Sequence, residues 1–144
     1  MSRRTSACAL VALFMLSTAP ASSAVPGLHA AVKGLRNAKG RVGCLLFDSP
    51  DGFPGDQKKA RQRALGVIAD SAAVCKFDVP AGSYAIVAMH DENNNGKLDS
   101  NIFGVPTEGY GASRGAQGAF GPKYDDARFA YRGGSLTIPI KLKY

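Results

Sequence analysis

The sequence predicts an all-β fold, a single antiparallel β-sandwich of about six to seven short strands with one long glycine-rich loop. Three observations predict it. Segments such as Ala73–Val79 and Ser135–Tyr144 alternate apolar and polar residues, the period of a half-buried strand. Clusters of Gly, Pro, Asn and Asp punctuate those segments, and each cluster is chemically suited to a turn. The length also suits one hydrophobic core rather than two.

The chain has 144 residues, and the first of them read as an export signal. Arg3 and Arg4 form a basic start, Ala7 to Leu16 is apolar and uncharged, and Ser22-Ser23-Ala24 offers small residues for cleavage. The apolar run is too short for a membrane span, which needs about 17–25 residues. Residues 1–24 are thus expected to be a signal peptide, with residues 25–144 one sandwich domain. The expected location is periplasmic or extracellular. The formal charge of +7 includes those two arginines, and no nucleic-acid motif accompanies it. Cys8 falls in the leader. Cys44 and Cys75 remain, an even number for an oxidising compartment, so a disulfide between them is expected. The alternative is two buried thiols in facing strands.

Taken in order, Leu28 to Leu35 is a first strand, ended by the polar turn Arg36–Gly40. Arg41 to Asp48 follows. Val42, Cys44 and Leu46 share one face and Gly43, Leu45 and Phe47 the other, so both sides of this strand are expected to be covered. Gln57 to Ala69 is rich in helix formers, with Ala60, Ala64 and Ile68 at helical spacing, and predicts a short helix. Its Lys58, Lys59, Arg61 and Arg63 form the basic run, expected as a solvated helix face. Ala73 to Val79 and Ser83 to His90 are strands around Pro80-Ala81-Gly82, expected to form a hairpin. Ser100 to Pro122 is long, glycine-rich and aperiodic, the kind of loop that is more often functional than decorative. A strand through Arg128–Tyr131 precedes the last one, Ser135–Tyr144. There Pro139 indicates an edge or a bulge.

The phrase from Phe77 to Tyr84 resembles the turn of transthyretin-like and collagen-binding B-type domains, in the wider immunoglobulin-like group of sandwiches. A broader resemblance rests on three features. They are Gly34-Leu35-x-Asn37-x-x-Gly40, the Pro80-x-Gly82-x-Tyr84 turn, and the run from His90 to Ser113, HDENNNGKLDSNIFGVPTEGYGAS. Together they resemble the bacterial domain of unknown function 2141 family across about residues 28–144. That resemblance implies an exported β-domain of uncharacterised activity and carries over no catalytic residues.

The chemistry concentrates in Asp91-x-Asn93-x-Asn95-Gly96-x-x-Asp99, with oxygens at alternate residues as a short loop needs to wrap Ca²⁺. Asp91, Asn93 and Asn95 would give side-chain oxygens, Lys97 its carbonyl, and Asp99 a direct or water-mediated ligand. Ile102 stands where an EF-hand has its glutamate, so the site would be weak. The competing account is a plain Asn-Gly turn capped by Asp91 and Asp99. His90 suits a structural hydrogen bond better than zinc. A small envelope hydrolase or metal-dependent enzyme built on His90, Glu92 and Glu108 is the alternative class, and the chain lacks tryptophan, the usual sugar platform. Tyr110, Phe103 and Phe120 could offer exposed aromatics to a ligand, with Tyr110 and Glu108 as the ligand-facing candidates; the simpler expectation is that the three rings pin the long loop onto the end of the sandwich. The expected role is binding or structural, toward an envelope protein or glycan. A carrier for an apolar molecule inside the sandwich is a further possibility.

Overall fold

A computed structural model describes residues 26–144, so the expected signal peptide lies outside the described residues. Two sheets face each other. One has the order β4-β5-β1-β9, built from β1 (Gly27–Lys33), β4 (Ile68–Ala69), β5 (Ala72–Phe77) and β9 (Ser135–Lys141). The other has the order β3-β2-β6-β7, from β2 (Arg41–Phe47), β3 (Gln62–Gly66), β6 (Gly82–Asp91) and β7 (Tyr110–Ala112). Strand β8 (Phe129–Tyr131), preceded by the single-turn helix α1 (Tyr124–Ala127), pairs with the start of β6. The all-β sandwich is as the sequence predicts.

Alternation decides what is buried. Leu28, Ala30 and Val32 of β1, Val42, Cys44 and Leu46 of β2, and Ile86 and Ala88 of β6 point inward with essentially no exposed surface. Cys44 and Cys75 form a disulfide that joins β2 of one sheet to β5 of the other. The apolar interior is therefore occupied by side chains of the two sheets, and an apolar hollow lies on the outward side of the second one. The other face of β2 is covered as expected, because Leu45 and Phe47 join a second cluster with Ala85, Tyr124 and Ala127.

Four expectations are corrected. Residues 57–69 are not helical: turns occupy 57–59, and β3 and β4 follow. The four-residue spacing of Ala60, Ala64 and Ile68 is close to one helical turn and equally is twice the strand period, and pairing of β3 with β2 and of β4 with β5 decides between them. Glycine suits position 66 of this strand because a Cβ there would approach the Ala73 Cβ and the Val74 carbonyl to 3.1 Å. Second, Pro80-Ala81-Gly82 does not close a hairpin; β5 and β6 lie in different sheets. The Tyr84 hydroxyl folds back to donate to the Pro80 carbonyl at 2.8 Å, the tyrosine-corner device of Greek-key sandwiches. Third, β7 lies inside the segment expected to be an aperiodic loop; it was too short to show a period. Fourth, one pairing is parallel. Strand β9 runs alongside β1 in parallel at the edge of its sheet, which agrees with the edge position expected from Pro139. Beyond β9 the chain crosses to the second sheet, where Lys143 and Tyr110 exchange two backbone hydrogen bonds of 2.9 Å.

Candidate functional site

The end of β6 delivers Asp91, Asn93, Asn95, Lys97 and Asp99 into one tight turn, as their spacing predicts. Asp91 is fully buried. Its Oδ1 accepts from the Asn95 amide at 3.0 Å, and its Oδ2 accepts from the Gly96 amide at 2.8 Å and from Arg41 Nε at 3.3 Å. Asp99 accepts from the side-chain amides of Asn93 at 2.6 Å and Asn95 at 2.8 Å. Asn93 and Asn95 also cap the next turns through their own oxygens. Glycine at 96 supplies the positive φ of 75° that the reversal requires. Every side-chain oxygen in the ring thus meets a protein N–H. Among the described residues, no three His, Cys, Asp or Glu side chains converge as a metal-binding group.

Glu108 and His90 flank the turn and brace it. Buried Glu108 accepts from the backbone amides of Glu92 at 2.8 Å and Asp99 at 3.1 Å, tying the two ends of the turn together. His90 faces the interior. Its Nε2 lies 2.7 Å from the Lys39 carbonyl, which can only accept, so this nitrogen carries a proton. In the neutral ring, Nδ1 then accepts from the Tyr144 hydroxyl at 2.7 Å. That hydroxyl also accepts from the Arg36 amide, and the Arg36 guanidinium lies 4.5 Å over the Tyr144 ring. Glu92 receives a hydrogen bond from Asn37 at 2.9 Å. Its Oε1 has no aligned hydrogen bond and is held by charge, with Arg36 Nη2 at 2.6 Å. Burial alone would raise this carboxyl; Asn37 and Arg36 outweigh it and hold the group below its ordinary value. Burial raises the Tyr144 phenol. His90, Glu92 and Glu108 are thus each engaged by structural partners.

The larger feature lies beside this turn, on the outward face of the second sheet. Strand register sets Leu65, Gly43, Met89 and Tyr110 in one row across β3, β2, β6 and β7, and Arg63, Leu45, Val87 and Ala112 in the next. Over these rows runs a trough of about 680 Å³. Its floor is Gly43, Leu45, Val87 and Met89, with Tyr110 at the side. Gly43 keeps the floor low: a Cβ there would come within 3.2 Å of the Met89 methyl. The walls come from two turns of the glycine-rich segment, and each carries a phenylalanine at its tip. Phe103 is 82% exposed and Phe120 fully so, which corrects the expectation that they pin the loop down.

Those tips are held where they are. The Asn101 side-chain oxygen accepts from the amides of Phe103 and Val105 at 2.9 and 3.0 Å, and the Asn101 amide donates to the Val105 carbonyl. The Gly121 amide donates to Gly118 behind Phe120. Gln57, at the rim, donates to the Gly96 carbonyl at 2.7 Å and links the trough to the acidic turn. Of the trough residues, the sequence pointed to Tyr110, Phe103 and Phe120 as candidates to face a ligand. It gave no such role to Gly43, Met89 or Gln57, nor to Asn101 behind the first tip; the one signal available was the Asn-x-x-Gly turn at 101–104, since sheet register brings the rest together.

The described residues contain no helix long and apolar enough to cross a membrane. No curated protein and no solved structure matches the chain. Residues 30–139 match a bacterial family described as an uncharacterized protein conserved in bacteria (DUF2141). The match runs from within β1 to within β9 and takes in the acidic turn and the two phenylalanine tips, and the chain belongs to this family.

Proposed function

We propose that the protein is an exported, non-catalytic binding domain of the cell envelope that holds an apolar ligand in the trough between its two phenylalanine tips. One observation carries the reading: an apolar floor and two hydrogen-bonded turns that hold Phe103 and Phe120 in solvent. Exposing two such rings costs free energy unless something covers them. The volume lies in the range of small-molecule sites, about 300–1,000 Å³. Export is supported by the basic and apolar start of the chain and by the Cys44–Cys75 bridge, since such bridges persist in oxidising compartments. The test is Nile red, a neutral apolar dye, added to the purified disulfide-bonded protein. Its emission should rise and shift to the blue, and the response should vanish in Phe103→Ser/Phe120→Ser. An equal response from that variant would sink the reading.

A second reading concerns the turn that borders the trough. Asp91 and Asp99 each retain lone pairs beyond the hydrogen bonds they accept, and Asn93 and Asn95, whose side-chain amides donate to Asp99, are exposed. That supports a weak Ca²⁺ site at Asp91, Asn93, Asn95, the Lys97 carbonyl and Asp99, the cation stiffening the wall it adjoins. Thermal unfolding with millimolar Ca²⁺ and with chelator tests it. A shift in the wild type that Asp99→Ala abolishes supports the site; identical curves in the wild type end it.

A further inference from the structure

The trough has one polar end. Where Gly43, Leu45, Gln57 and Met89 leave the apolar hollow, the same four residues line an adjoining hollow of about 380 Å³ that contains Arg41 and Arg63. Arg41 is neutralised by buried Asp91 at 3.3 Å. Arg63 is different. Register sets it on the outward face of β3, directly across from Leu45 of the trough floor, and it forms no salt bridge among the described residues. It is an unpaired cation at the mouth of an apolar channel. The apolar hollow itself is lined by no charged side chain.

Resting on the trough reading above, we propose that the occupant is a single-chain anionic amphiphile, a fatty carboxylate. Its hydrocarbon lies over Leu45, Val87 and Met89 beneath Phe103 and Phe120, and its carboxylate is met by Arg63. A neutral apolar ligand leaves Arg63 unused. A carboxylate without a chain leaves the phenylalanines exposed. Only an occupant with both ends satisfies both features. Arginine suits the role, since its planar fork binds a carboxylate through two parallel hydrogen bonds.

The experiment is calorimetric titration of the disulfide-bonded protein with dodecanoate, tetradecanoate and, as uncharged comparator, dodecyl maltoside, all below their micellar concentrations. Dodecanoate should bind, and tetradecanoate more tightly, by about fourfold for each added CH₂. Arg63→Gln should weaken dodecanoate about tenfold, leaving dodecyl maltoside unchanged. Arg63→Lys, which keeps the charge, should retain most of the affinity. Phe120→Ser should weaken both amphiphiles. If Arg63→Gln leaves dodecanoate unaffected while Phe120→Ser weakens it, the carboxylate assignment fails and the apolar trough stands. If neither amphiphile binds, the assignment fails as well. If instead the protein self-associates in sedimentation and Phe120→Ser makes it monomeric, a second copy is the occupant, and the proposal is overturned.

Discussion

The outward face of the β2–β6 sheet has two ends, made by the same alternation and finished in opposite ways. At one end Phe47 and Ala85 disappear beneath Phe53, Tyr124 and Ala127, and the rings of Phe47, Phe53 and Tyr124 meet edge to face with centroids 5.3 and 5.7 Å apart. At the other, Gly43 and Met89 floor a trough whose aromatic rings stand in solvent. One end has its cover within the chain. The other has two turns shaped to hold a cover in place. The difference teaches that a strand's outward apolar residues are not one class: the same pattern can finish as core or as binding surface, depending on which loop returns over it.

The largest effect should come from breaking the covered end. Phe47→Ala is expected to cost about 3–5 kcal/mol in urea unfolding, since it opens a cavity in a packed ring cluster. Phe120→Ala, at the open end, should change stability by no more than about 0.5 kcal/mol. Similar losses from the two would mean that the ends are not distinct. A comparable test applies to the inward face. Replacing Cys44 and Cys75 together by serine releases a constraint spanning 31 residues and should cost about 3–4 kcal/mol in the chain-entropy picture. A loss below about 1 kcal/mol would show that packing alone joins the sheets.

Both ends were unequally legible in the sequence. The inward residues of β2 declared themselves by period, and so did the two-sided character of Arg41–Phe47. The acidic turn was legible because its contacts are local: Asp91 reaches Asn95 and Gly96, four and five residues on. The trough was not. Gly43, Val87 and Tyr110 meet through register between strands distant in sequence, and no window of the chain contains them together. The mistaken helix has the same origin. Residues 57–69 have local helical preference, and only the β2 edge turns Gln62–Gly66 into a strand. The arch at Pro80–Gly82 looked like a hairpin because turn chemistry is local while choice of sheet is not.

The acidic turn stands at the open end, and removing its anchor sharpens the contrast. Asp91→Ala leaves the Asn95 and Gly96 amides and Arg41 without their acceptor and should cost about 2–3 kcal/mol. Asp91→Asn keeps an oxygen for one amide and should cost less. Hydrogen exchange locates the damage: the amides of Asn95 and Gly96 should lose protection, while the Phe47 end keeps its own. Equal loss of protection at both ends would mean that the turn is needed by the whole sheet rather than by the trough wall.

The smallest effect is one of pH, at Glu92. The folded protein holds this carboxyl below its ordinary value of 4.5, because the Asn37 hydrogen bond and the Arg36 charge outweigh burial. A carboxylate with a lowered folded pKa adds stability that is complete above the unfolded value. That stability is lost as pH falls through the folded one. The window therefore lies below about pH 4.5. Half of the Arg36 side chain faces solvent, so screening limits the pair to about 0.2–1 kcal/mol. Glu92→Gln should be less stable than the wild type by that amount near neutrality, and the two curves should converge as pH drops below the window. Added salt at neutral pH should narrow the same gap. A gap that persists unchanged at low pH would assign the loss to packing against Asn37 and Arg36 rather than to charge. The Arg36 guanidinium over Tyr144 would then be held by its ring contact and by the Thr107 carbonyl, which it also reaches at 3.1 Å.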